Sequence, residues 1–130
     1  MSYKNIPTEL NDLATKIIGL AIKVHYTLGP GLLESAYKEC LYYEILEAGH
    51  FVEKEKALPL IYETVKLEIG YRIDLLVENK LVVEIKAVDT IADIHTAQVL
   101  TYLKLSGSRL GLLLNFNVKL LKDGIRRLAL

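Results

Sequence analysis

Apolar residues recur at three- and four-residue intervals over the first third of the chain, then at two-residue intervals or in unbroken runs. Leu13, Ile17, Leu20, Ala21 and Val24 form one stripe on a helix that opens at Pro7-Thr8 and runs to about Leu28. Gly29-Pro30-Gly31 ends it, because proline and paired glycines do not extend a helix. A second helix is predicted over about Leu32 to Ala48, with Leu33, Tyr37, Cys40, Leu41 and Ile45 on overlapping faces and Gly49 as a suitable residue past its end. From Phe51 the period shortens. Phe51 to Tyr62 and Val65 to Val77 read as strands around a turn at Glu63-Thr64, and Leu81 to Val88 as a third strand. A helix from about Asp93 to Leu105 follows, stopped by Gly107. Arg109 to Asn115 is a near-continuous apolar strand, the pattern of burial on both faces. A last hairpin, Lys119 to Leu130, is predicted to turn at Asp123-Gly124. The element order is ααβββαββ. The strand-helix-strand piece from Leu81 to Asn115 predicts a right-handed crossover between parallel strands, while the hairpins are antiparallel. The fold class is therefore α/β in the broad sense (α+β), a mixed central β-sheet flanked by helices.

The chain has 130 residues, which predicts one domain over residues 1–130 with a core of its own. Half of it is hydrophobic and a quarter charged, which excludes a disordered protein. Its single cysteine, Cys40, excludes an internal disulfide framework and fits a reducing, cytoplasmic location. The start, Met1 to Pro7, is polar with no apolar leader after it, and runs such as Ile17 to Ile22 are too short to span a bilayer, so no membrane partner is expected. Sixteen basic residues balance sixteen acidic ones, which argues against coating nucleic acid by bulk charge. Lys119, Lys122, Arg126 and Arg127 gather positive charge near the C-terminus, as a local basic surface or as a strand edge guarded against aggregation.

The chemistry concentrates in the hairpin from Tyr71 to Val88. If Glu78-Asn79-Lys80 is a three-residue loop, Val77 pairs with Leu81 and Asp74 lies opposite Glu84. Glu84 and Lys86 share a strand face, while Ile73, Leu75, Val77, Val83, Ile85 and Ala87 make the other face apolar. Facing carboxylates repel. A cation between them relieves the repulsion, and a hard ion such as Mg²⁺ takes oxygen ligands of this kind. A lone Glu-x-Lys would be the wet face of a strand. In mid-sheet, under helices, charge must be paired or metal-bound.

Two further constellations are weaker alone. In Gly31-Leu32-Leu33-Glu34-Ser35-Ala36-Tyr37, Glu34 and Tyr37 lie along one helix face, and a helix-dipole acid beside a core tyrosine explains them equally well. Gln98 and Tyr102 are neighbours one turn apart, able to reach a phosphate or carboxylate. His25, His50 and His95 lack zinc-ligand spacing, Ser35, Ser106 and Ser108 lack a nucleophile elbow, and no glycine-rich phosphate loop occurs.

In chain order these constellations resemble a known family. Asp74 followed by Glu84-Ile85-Lys86 resembles the PD-(D/E)xK nuclease core, with Ile73 where the superfamily's name has proline. The Gly31 to Tyr37 segment resembles the signature of the GxxExxY proteins within that superfamily, and Gln98 to Tyr102 is similar to the QxxxY motif of its exonuclease-like branch. The resemblance runs from about Thr8 to Leu130 and implies a restriction-endonuclease-like core. It implies that Asp74, Glu84 and the carbonyl of Ile85 hold Mg²⁺, with Mn²⁺ as a substitute, and that Glu34 completes or orients the metal site. It implies that Lys86 positions or deprotonates the attacking water, and that Gln98 and Tyr102 support the site or touch phosphate. With anions beside it, Lys86 is expected to act as an electrostatic and positioning group rather than as a free base. The expected activity is metal-dependent hydrolysis of phosphodiesters in DNA. Two rival readings stay open: a non-catalytic nucleic-acid- or protein-binding module, and a hydrolase of smaller phosphate esters. So small a chain leaves little room for substrate-recognition domains, so a homodimer or a partner protein is a further expectation, with the Lys119 to Leu130 strand as one pairing edge.

Overall fold

The computed structural model describes residues 6–130; the polar start, Met1 to Asn5, lies outside the described residues. Helix α1 spans Thr8–Leu28 and α2 Glu34–Glu47. Strands β1 (Val52–Tyr62), β2 (Val65–Val77) and β3 (Leu81–Lys86) precede helix α3 (Asp93–Ser106) and strands β4 (Leu110–Asn115) and β5 (Ile125–Ala129). The five strands form one sheet in chain order. β3 and β4 are parallel, joined through α3, and every other neighbouring pair is antiparallel. The mixed sheet flanked by helices is the architecture expected from the hydrophobic pattern.

Alternation along the strands builds two cores. Leu75, Val77, Leu81, Val83, Ile85, Leu110, Leu112 and Leu114 face the stripes of α1 and α2, including Leu13, Ile17, Val24, Tyr37, Leu41 and Ile45. Leu76, Val82 and Leu113 face α3 through Val99, Tyr102 and Leu103. Every residue of β4 is buried, as its unbroken apolar run predicts. Gly111 permits α3 to approach it: a β-carbon there would meet Val99 Cγ1 at 2.9 Å. Ile73 departs from expectation, packing with the α3-side cluster and not with Leu75 and Val77. The β1–β2 ladder is interrupted one residue away, where Glu55 takes a left-handed φ of 57°.

Tyr37 ties α2 to the turn before it. Its hydroxyl donates to Gly29 O at 2.5 Å and accepts from Leu32 N–H at 3.1 Å. Its ring stacks on Phe116 with centroids 4.6 Å apart. The helix consequently starts at Glu34, two residues later than predicted.

Strand β3 stops at Lys86, short of the predicted Val88. The buried Asn115 side chain takes over there, accepting from Val88 N–H at 3.1 Å and donating to Val88 O at 2.9 Å. The predicted final hairpin is not formed. Leu121–Gly124 is a short 3-10 helix that buries Leu121 in the main core, and β5 pairs with β4. Gly124 lies against Asn115, whose carbonyl oxygen would be 2.1 Å from an added β-carbon, so the chain folds back at this point instead of extending. β5 is an edge strand; Arg126 on it is exposed, and Arg127 donates to Asn11 Oδ1 at 2.7 Å.

At the opposite edge, β1 and β2 continue as a two-stranded ribbon, pairing Leu60 with Leu67, Ile61 with Lys66 and Tyr62 with Val65. Residues 61–66 are all exposed, and Ile69 beside them is 54% exposed. No described helix is long and apolar enough to cross a membrane.

Candidate active site

The β2–β3 turn fixes the register. Glu78 and Asn79 both adopt left-handed φ, and Lys80 N–H closes the turn on Val77 O at 3.0 Å, the geometry suited to a tight hairpin. Val77 then pairs with Leu81, Leu76 with Val82 and Leu75 with Val83. The next rung places Asp74 against Glu84, as the three-residue loop requires. Main-chain pairing gives way there to side-chain bonds. Asp74 N–H donates to Glu84 Oε1 at 3.1 Å, and Ile85 N–H donates to Asp74 Oδ2 at 2.8 Å. Both carboxylates are thereby anchored to the opposite strand's backbone, and the two side chains also bond each other.

Glu84 is 3% exposed. Burial and the negative charge of Asp74 push its pKa up to about 9, and Lys86 on the same face counteracts them in part. A cation at this rung would replace the proton that the facing acids otherwise favour. Among the described residues no group of three or more His, Cys, Asp or Glu side chains is arranged to hold a metal ion. Two suffice for Mg²⁺, which keeps several waters and is commonly held by one or two carboxylates plus substrate phosphate. The donor set at Asp74 and Glu84 therefore fits such an ion.

Helix α3 brings the third constellation to the same rung. Gln98 Nε2 donates to Tyr102 Oη at 3.1 Å. Burial and then the charge of Glu84, with a smaller contribution from Asp74, raise the Tyr102 pKa, so its phenol lies within the field of both acids. The ring of Tyr71 meets Tyr102 edge-on at 6.2 Å. Asp74 and Lys86 are half-buried, which leaves the rung a route to solvent. Two cavities, of about 450 and 510 Å³, are lined by other residues, the first by Glu9, Asp12, His50 and Glu78, the second by Ile22, Tyr26 and Leu120. Neither cavity is lined by Asp74, Glu84 or Lys86.

Glu34 is placed differently from the rest. It is exposed at the first position of α2, with no bond to the acids of the rung. One turn further on, Lys38 reaches inward to pair with Glu55, and the charge of Asp74 acts on it. Sequence reading missed both Lys38 and Glu55. The four-residue spacing from Glu34 was a usable signal for the lysine; nothing in the sequence announces a left-handed glutamate inside a strand. The histidines are structural: the ring of His25 bonds Val118 O at 2.7 Å, His50 contacts Glu78 at 3.3 Å, and His95 accepts Ala92 N–H at 2.9 Å at the start of α3.

Searches of curated proteins and of solved structures return no match. A family model described as the PD-(D/E)XK nuclease superfamily matches residues 11–128, which include every element from α1 to β5 in whole or in large part. The mixed sheet with helices on both faces is consistent with its restriction-endonuclease-like fold. On that match, and with an acid pair and a lysine carried on consecutive strands, the chain belongs to the PD-(D/E)XK nuclease superfamily.

Proposed function

We propose that this protein is a cytoplasmic, divalent-metal-dependent nuclease of the GxxExxY group that hydrolyses phosphodiester bonds in DNA, with residues 1–130 acting as one catalytic domain. The observation that carries the proposal is the Asp74–Glu84 rung, with Lys86 on its face and the Gln98–Tyr102 pair above it. Superfamily membership supports nuclease activity; the metal and the substrate are inferred from the rung.

In this reading Asp74, Glu84 and the carbonyl of Ile85 hold Mg²⁺ or Mn²⁺, and Glu34 orients the site from α2. When bound, the ion neutralises phosphate charge and lowers the pKa of its water. Lys86 supplies positive charge where the phosphate's non-bridging oxygens become more negative. It acts by position and charge. Gln98 fixes the Tyr102 hydroxyl near the acids, where it can donate to a phosphate oxygen. The apolar packing beneath the rung, Val83 and Ile85 at 0% exposure, keeps these groups from shifting.

The test is cleavage of single-stranded, duplex and branched DNA, with RNA and dinucleotide arms, in Mg²⁺ or Mn²⁺. The expected result is metal-dependent DNA cleavage that falls by about 10²–10³-fold in Lys86→Ala and is lost in Asp74→Asn. Cleavage that persists unchanged in Lys86→Ala overturns the assignment. A protein that binds oligonucleotide yet shows no metal binding at Asp74 is a binding module, and activity confined to dinucleotides makes it a hydrolase of smaller esters.

A further inference from the structure

Among the lysines with carboxylate partners, Lys38 has the least exposed side chain, at 18%. Its ammonium is bonded to Glu55. Glu55 lies between two ladder rungs, Lys54 with Leu75 and Lys56 with Ile73, so on β1 it stands opposite Asp74 of β2. Glu55, Asp74 and Glu84 thus form a row of acids over three neighbouring strands. Glu55 does not pair with Asp74 through the backbone; its φ is 57°, a left-handed conformation that a non-glycine residue adopts only under constraint. The surrounding contacts hold it there, and the Lys38 bond is one of them.

Lys38 is drawn toward the row from two directions. Burial works against its ammonium, but the Glu55 bond and the charge of Asp74 outweigh burial and hold its pKa above the ordinary lysine value. Lys23 makes a useful contrast. Its pair with Glu44 is solvent-exposed on the lysine side, at 64%, and the charge of Lys23 answers to Glu44 and Tyr43 and to no acid of the row. Lys38 also sits one helical turn after Glu34, on the same face of α2. With a divalent ion at Asp74 and Glu84 in place of the proton on Glu84, the three acids, the two lysines and the ion would together carry one net positive charge. The ammonium would then lose its attraction to Asp74 and face a cation. An incoming phosphate restores the balance.

We propose that Lys38 is a second phosphate-binding lysine of this site: on nucleic-acid binding it exchanges Glu55 for a backbone phosphate oxygen, bracketing the phosphate from the α2 side while Lys86 holds it from β3. This rests on the nuclease reading and names the group that grips the substrate.

The test uses the full chain and a labelled DNA oligonucleotide in Ca²⁺, with binding as the readout, together with calorimetry of Mn²⁺ alone. Lys38→Met is expected to weaken oligonucleotide binding about tenfold and to lower the slope of log affinity against log salt by about one contact's worth. Lys38→Arg restores the slope, and Glu55→Gln leaves it at the parent value. Mn²⁺ affinity does not fall in Lys38→Met, because the lysine is no ligand. The proposal is overturned if Lys38→Met keeps the parent slope while the parent binds Mn²⁺ and Asp74→Asn does not; the nuclease reading then stands without it. It is also overturned if Glu55→Gln reproduces the whole loss with an equal drop in melting temperature, the mark of a structural ion pair. A parent that binds neither Mn²⁺ nor oligonucleotide removes the nuclease reading and this proposal together.

Discussion

At the scale of single residues, the site places two carboxylates where burial and mutual repulsion both disfavour charge. Glu84 bears most of this, being nearly inaccessible and facing Asp74. Without a cation the pair weakens the fold, so Glu84→Gln, measured in a chelator, is expected to raise stability by about 1–3 kcal/mol by chemical denaturation. The same variant is expected to lose the melting-temperature gain that Mn²⁺ gives the parent. A loss of stability in chelator would show that Glu84 matters more as an acceptor for Asp74 N–H than as a charge. The facing of Asp74 and Glu84 was legible in the sequence because loop length and two-residue alternation fix a hairpin's register. The backbone of Glu55 was not, since a left-handed residue without glycine or asparagine is set by tertiary contacts.

Among the elements, α2 and α3 deliver side chains to the sheet, and each depends on a local fastening. Tyr37→Phe keeps the stack on Phe116 but removes bonds to Gly29 and Leu32. It is expected to cost about 1–2 kcal/mol, seen as a lower denaturation midpoint. Tyr37 is the part of the Gly31–Tyr37 segment whose bland explanation holds: it is a core tyrosine that pins a turn. Helix α3 rests on Gly111, where Ala would press on Val99 and Leu103. Gly111→Ala is expected to destabilise by about 1–3 kcal/mol and to reduce cleavage further, through displacement of Gln98 and Tyr102; unchanged kinetics at full folding would sever that link. Helices and buried strands were readable from apolar spacing. The last hairpin was not, because Asp123-Gly124 looks like a turn between strands, and only the burial of Leu121 and the contact of Gly124 with Asn115 make it a turn into a single strand.

For the whole molecule, the sheet order sets Asp74 and Glu84 on neighbouring strands, and α3 holds Tyr102 within the field of both acids. Ligand binding to the folded state alone stabilises it, by about 2.7 kcal/mol at a hundredfold excess over Kd. Mn²⁺ is therefore expected to raise the melting temperature of the parent in a concentration-dependent way and to leave Asp74→Asn unmoved; a shift in both would place the ion elsewhere. The balanced net charge adds that grip on nucleic acid comes from a few local cations and not from a general field.

The ribbon beyond Leu60 has a practical corollary. It displays Ile61, Tyr62, Val65 and Ile69 to water, yet none of the catalytic candidates lies on it. Trimming it to a short loop should yield a preparation that scatters less light when concentrated and melts where the parent does, leaving crystallisation of the compact remainder less exposed to sticky tips.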